Sequence, residues 1–209
     1  MKKKYLILTI LMTIGVVSAM AQTRYVDAIY TDADIEMTSD VTYGTNIDFL
    51  TSKLHSSNGA QIQQDMIAIG GALQGGMSIP AKFYDYSDTV TTKVKVTDVK
   101  MDIYKPKTSV DATTDRPVII FIHTGNFLPP PINGSPNGYK GDSSAIVLCT
   151  EWAKRGYVAV AVNYRLGWNP LALNVEERKG QLLNAVYRAI HDVKVAVRTL
   201  KDDASTYGI

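Results

Sequence analysis

The 209-residue chain has little sulfur or imidazole chemistry to offer, with one cysteine, Cys149, and three histidines. A single cysteine excludes an intramolecular disulfide framework and a multi-cysteine metal site, and three histidines leave little room for a histidine-rich zinc cluster. Neither sign of charge is in excess: 22 lysines and arginines stand against 20 aspartates and glutamates, mixed along the chain, which argues against a nucleic-acid-binding protein. The glycine doublets Gly70-Gly71 and Gly75-Gly76 lack the spacing of a phosphate-binding loop and are followed by no Lys-Ser/Thr pair, so they read as flexible connection. There is no internal repeat and no low-complexity tract. What is present is a 45% hydrophobic composition, ample for the packed core of one domain or one and a half.

The long apolar run is Tyr5 to Val17, preceded by Met1-Lys2-Lys3-Lys4 and followed by Ala19-Met20-Ala21. A basic start, an apolar stretch and a small-x-small end read as a bacterial type of signal peptide over residues 1–21, cleaved after Ala21 to leave Gln22 first. The run is too short to span a bilayer comfortably, and no cysteine follows it for lipidation. The mature protein is therefore expected to be secreted or periplasmic, without a membrane anchor. Cleavage removes three lysines and leaves 19 basic against 20 acidic residues, so the slightly basic character belongs mostly to the leader. In an oxidising compartment, burial is the usual way a lone thiol such as Cys149 stays inert.

Residues 22–93 are polar and weakly periodic, with strands expected at Tyr25–Tyr30 and Val41–Leu50 and a short helix at Gln61–Leu73. They form an N-terminal region of uncertain structure, a lid or an extra layer. From residue 94 to 209 the pattern is sharper. Val94 and Val96, then Val99, Met101 and Ile103, alternate with polar residues and slip phase once near Thr97-Asp98, which suggests a bulge or turn. Val118–Ile122 and Tyr157–Val162 are continuous apolar runs of the kind buried on both faces of a parallel sheet. Between them, Asp142 or Ser143 caps a helix carrying Ala145, Leu148, Cys149 and Trp152 on one face, with Gly156 just past its end. Leu182, Val186, Ile190, Val193, Val197 and Leu200 form one apolar stripe on a helix from about Val175 to Lys201. Strand, helix, strand, helix in that order implies a mostly parallel α/β sheet.

Four local motifs in this half resemble the α/β-hydrolase superfamily of esterases, lipases and carboxylesterases. Met101-Asp102-Ile103-Tyr104-Lys105-Pro106 is similar to the strand that precedes that family's oxyanion loop. His123-Thr124-Gly125-Asn126-Phe127, directly after Val118–Ile122, resembles the loop itself. Gly156-Tyr157 through Asn163-Tyr164-Arg165-Leu166-Gly167 resembles the next strand, and Arg188 through Leu200 the helix before the nucleophile. The resemblance covers residues 98–209 and implies a three-layer α/β-hydrolase-type fold. By the same resemblance Gly125 and Asn126 donate backbone amides to an oxyanion while His123 holds the loop's shape. Thr124 and Asn126 replace glycines of the family pattern, which makes the loop less free to adopt positive φ. Phe127, Leu128 and the stiff Pro129-Pro130-Pro131 are candidates for the wall of an acyl pocket. Arg165 and Asp192 are placed to form a structural ion pair. His191 reads as a packing histidine and His55 as a solvated one. Gly141-Asp142-Ser143-Ser144 resembles the nucleophile block of a different esterase class, but it follows a long loop rather than a strand, so a helix cap explains it better.

No serine in the chain has the Gly-x-Ser-x-Gly surroundings of a nucleophile elbow, and no triad residue is assigned. The expectation is therefore the N-terminal portion of an α/β-hydrolase, with an incomplete sheet in which Val118–Ile122 forms an apolar edge and the chain is marginally stable alone. The function implied is that of a secreted carboxylic-ester hydrolase whose oxyanion loop is present here, acting on a small-molecule ester with neither metal nor organic cofactor. The alternative is a non-catalytic binding or interaction module on the same scaffold.

Overall fold

The computed structural model describes residues 23–48, 59–88, 90–128, 138–168 and 170–209. The leader over 1–21, His55 and Pro129-Pro130-Pro131 lie outside the described residues. The described residues form four strands, β1 (Ile35–Asp48), β2 (Lys95–Pro106), β3 (Val118–Ile122) and β4 (Val158–Val162). The helices are α1 (Gly59–Gln74), α2 (Ser143–Lys154), α3 (Val175–Asp202) and the short α4 (Ala204–Tyr207). The strand order is β1-β2-β4-β3. Among the described residues only β3 and β4 pair in parallel, so the sheet is mixed where the sequence implied a mostly parallel one. The parallel pair is the one joined through a helix, α2, as parallel neighbours require. β1, from the polar N-terminal region, pairs with β2 from Ile35↔Pro106 to Asp48↔Lys95, so residues 35–48 extend this sheet rather than forming a lid over it.

β4 reads Val-Ala-Val-Ala-Val, and successive side chains along a strand point to opposite faces. Val158, Val160 and Val162 bury against Val99, Met101 and Ile103 of β2 and Ala196 and Leu200 of α3. Ala159 and Ala161 bury instead with Tyr104 and with Ala145, Cys149 and Ala153 of α2. The result is three layers, α2, sheet and α3. On α2 the buried face is Ala145, Cys149 and Ala153, while Leu148 is exposed, which corrects the expected face by one position. Gly156 follows the helix at φ +94°, the left-handed stop expected there.

Three further expectations are overturned. The phase slip in β2 is not a bulge in that strand: the extra residues sit in β1, between Thr38 and Val41 and between Thr42 and Gly44. β2 runs unbroken and changes the face it buries. Val94 and Val96 pack with Ile69 of α1 and Phe83, whereas Val99, Met101 and Ile103 pack toward α3. Tyr25–Tyr30 is a turn rather than a strand, with Tyr25 at φ +74°. Its backbone N–H groups are taken up by the C-terminal end of α2, Tyr25 donating to the Arg155 carbonyl at 2.9 Å and Ile29 to that of Lys154 at 2.9 Å. β3 lies at the edge of the described sheet and is half-buried, not enclosed on both faces, with Ile122 51% exposed.

Candidate functional site

At the end of β3 the chain leaves the sheet through His123, which is buried. Its imidazole stacks on Tyr164, the ring centroids 4.2 Å apart and the planes within 10°. The His123 Nδ1 lies 2.7 Å from the Thr124 carbonyl, which assigns the proton to that nitrogen, and the Tyr164 hydroxyl donates to the His123 carbonyl at 2.7 Å. Burial lowers the His123 pKa from its ordinary value, so the ring is neutral at neutral pH. With its Nδ1 proton committed to its own loop, His123 holds the shape of the turn.

The next residues enter the left-handed region in succession, Gly125 at φ +115°, Asn126 at +53° and Phe127 at +60°. Leu128 N–H donates to the Gly125 carbonyl at 2.9 Å and closes a four-residue turn. Turns with two positive central φ values favour Asn followed by Gly, and here phenylalanine takes the glycine's place at a cost on the order of 1 kcal/mol. Thr124 needs no positive φ, so strain falls on Phe127 rather than on that substituted glycine. Gly167 N–H holds the Phe127 carbonyl at 2.8 Å, and the Trp168 indole holds the Asn126 carbonyl at 2.9 Å. The Phe127 ring packs on Tyr164 with Leu166 and Ala189. Among the described residues the N–H groups of Gly125, Asn126 and Phe127 donate to no protein acceptor. Successive amides in such a curled segment make a concavity suited to negative charge.

The loop borders a cavity of about 540 Å³ whose far wall is Val186, Ile190 and Val193 of α3. This corrects the expected burial of the apolar stripe. The buried line on α3 is Ala185, Arg188, Ala189, Asp192, Ala196 and Leu200, while Ile190 remains half exposed. Small residues let the helix sit close to the chain beneath it, which turns the larger ones toward the cavity. Phe127 lines this space and Leu128 does not, the turn having carried the chain away. Lys194 is the charged residue on the lining.

Beneath the loop, Arg165 and Asp192 pair in a bidentate arrangement, with Nη2 to Oδ1 at 2.7 Å and Nε to Oδ2 at 2.8 Å. Asp192, fully buried, also accepts the Arg165 N–H at 2.9 Å, and the Arg165 Nη1 reaches the Ile47 carbonyl of β1 at 2.6 Å. Arg188, one turn before Asp192, donates through Nη2 to the Gly167 carbonyl at 2.8 Å. Tyr164, Gly167, Trp168 and Arg188 thus support the loop without having been assigned roles from sequence; a charge four residues before Asp192 on the same side of a helix was the available signal for Arg188. His191 is exposed against Tyr187 and does not pack into the core. Asp142 stands at the N-cap of α2, but its carboxylate accepts from Gly138 N–H at 2.6 Å instead of capping the helix. Ser143 is exposed and follows no strand. Among the described residues no group of three histidine, cysteine or acidic side chains could hold a metal ion, and no helix is long and apolar enough to cross a membrane.

No protein-family model matches the chain. Over 108 residues, 52% of the chain, it is 31% identical to a neuroligin-like protein, glit-1, of Caenorhabditis elegans, and it spans 12% of that relative's length. Among solved structures, the phosphonate-inhibited esterase B from Lactobacillus rhamnosis is similar at 14% identity, with 99% of this chain and 42% of that one covered and a TM-score of 0.39. A second structure of esterase B from Lactobacillus rhamnosis covers 90% of this chain and 39% of its own, at 14% identity and a TM-score of 0.28.

Proposed function

We propose, taking as premise the chain's relationship over part of its length to the α/β-hydrolase superfamily, that it carries the oxyanion-binding part of a secreted carboxylic-ester hydrolase. The observation that carries this reading is the run of backbone N–H groups at Gly125, Asn126 and Phe127, without an acceptor among the described residues, on the rim of an apolar cavity. Ester cleavage passes through a tetrahedral oxyanion, and donors fixed in advance stabilise it without reorganisation. In this reading Gly125 and Asn126 receive the oxyanion, His123 and Tyr164 hold the strand end beneath them, and Val186, Ile190, Val193 and Phe127 face the acyl group. No residue of the chain is assigned as nucleophile, acid or base. The apolar leader over residues 1–21 supports export.

Protein expressed from the complete reading frame is expected to hydrolyse p-nitrophenyl butyrate and to lose that activity on treatment with a serine-directed phosphonate. Free donors and apolar walls also suit a second reading, a binding module on the same scaffold, since neither requires a nucleophile. Saturable binding of butylphosphonate by the same protein with no ester turnover would decide for that second reading.

A further inference from the structure

We infer that Trp168 is a positioning residue for this loop, holding the Asn126 carbonyl so that the Phe127 N–H becomes a third donor beside those of Gly125 and Asn126. The inference rests on the reading of the loop as an oxyanion site. In a trans peptide the C=O and N–H bonds point in opposite directions, so an anchored carbonyl fixes where its peptide's N–H is aimed. The Trp168 Nε1 lies 2.9 Å from the Asn126 oxygen. Indole nitrogen can only donate, which leaves no ambiguity in the direction of that bond. The Phe127 N–H therefore points away from the indole. The following peptide is anchored in the same way, its Phe127 carbonyl held by Gly167 N–H at 2.8 Å, but its N–H, that of Leu128, is consumed in closing the turn on Gly125. Of the two peptides at the tip of the turn, one amide is used internally and the other, that of Phe127, has no acceptor among the described residues.

The anchor is itself braced. Arg188 donates through Nη2 to the carbonyls of Gly167 at 2.8 Å and Leu166 at 3.4 Å, tying the 166–168 segment to α3. Force runs from a buried guanidinium through Gly167 and Trp168 to the two carbonyls of the turn. Trp168 forms the outer, half-buried end of that brace, where its ring belongs to no core cluster among the described residues and its N–H is the feature the loop uses.

The test is a titration of the ¹⁵N-labelled chain with butylphosphonate, followed by amide chemical shifts. In the wild type the amides of Gly125, Asn126 and Phe127 are expected to move together to one saturation point. In Trp168→Phe, which keeps a ring and removes the donor, affinity should fall roughly three- to tenfold, as for one neutral hydrogen bond. The Phe127 amide should then cease to respond while that of Gly125 still does, a selectivity that general loosening would not produce. Trp168→Gln, which restores an N–H donor, should recover part of the Phe127 response. A Phe127 amide that responds in Trp168→Phe as in the wild type overturns the role of Trp168 and leaves the loop reading standing. Absence of any shift at Gly125 and Asn126 in the wild type overturns both. Should Trp168→Phe fail to fold, the wild-type indole N–H decides: it must move with the same midpoint as the Phe127 amide, and a silent indole overturns the inference.

Discussion

On one side of β4, Ala159 and Ala161 meet Ala145, Cys149 and Ala153 of α2; on the other, Val158, Val160 and Val162 meet the residues that face α3. The first contact is small residue on small residue, and it brings the helix down onto the strand with every one of these side chains fully buried. The second is larger and less complete. The last turns of α3 seal it with Ala196 and Leu200, while the middle of the helix meets the 164–167 segment through Arg165, Arg188 and Asp192 and leaves Val186 and Ile190 facing a cavity. One face is closed and structural, whereas the other combines a polar clamp with an open apolar wall beside the loop. The strain at Phe127 is found on the open side.

Several substitutions can break or sharpen that contrast. The largest effect is expected from Asp192→Ala, which strands the buried Arg165 charge and its N–H; loss of one partner of a buried pair costs about 3–5 kcal/mol. A melting temperature equal to the wild type's would remove the polar clamp from the account of the α3 side. Next, Ala161→Leu overfills the closed face and should cost about 1–3 kcal/mol by urea denaturation. Ile190→Ala on the open wall should stay within about 0.5 kcal/mol. Equal costs for the two would erase the distinction between the faces.

A pH dependence comes from the buried Asp111, which pairs with Arg24 at 2.5 Å and with Arg116 at 3.0 Å. Burial tends to raise the Asp111 pKa, but hydrogen bonds from Arg24, Thr113 and Arg116 outweigh it and hold the carboxyl well below the usual carboxylate range. A depressed folded pKa adds stability above the unfolded value of about 3.9, and that stability drains away as pH falls below it. Urea midpoints should therefore drop between pH 5 and pH 2 by more in the wild type than in Arg24→Gln. The smallest effect is a null one. Burial, with Asp102 nearby, pushes the Cys149 thiol up to about 12, so the folded protein should not react with a disulfide reagent at pH 8 and should react once unfolded. A cysteine placed at Ile190 on the open wall should react at once.

The chain order of strands and helices in the second half was legible because apolar runs and a helical period survive without knowledge of neighbours. The side on which each element is buried was less so. A hydropathy pattern ranks Ile190 and Val193 above Ala189 and Ala196, whereas packing selected the small residues because they allow close approach. The same bias put Leu148 on the inner face of α2, where Ala145 and Ala153 lie. In β2 the phase slip was real, but it recorded two clusters on opposite faces, a distinction that needs α1 and α3 in place. The 123–127 loop was found through its resemblance to other proteins. Its supports Gly167, Trp168 and Arg188 all grip backbone carbonyls, which carry no sequence signature of their own, so only the charge spacing of Arg188 before Asp192 pointed to one of them. A left-handed phenylalanine at 127 is likewise invisible until the turn is closed around it.

The early chain is held by the late chain. Arg24 pairs with Asp111 across 87 positions, Arg165 reaches back to Ile47 across 118, and the Tyr157 hydroxyl donates to the Tyr25 carbonyl across 132. Closing loops of that length is slow, because chain entropy must be lost before these contacts compensate it. A nascent chain can therefore lay β1 on β2 and pair Arg24 with Asp111 early, but it cannot clamp the Ile47 carbonyl at the end of β1 until Arg165 has left the ribosome. The early chain is thus secured in stages, β1 on β2 first and its end on Arg165 last.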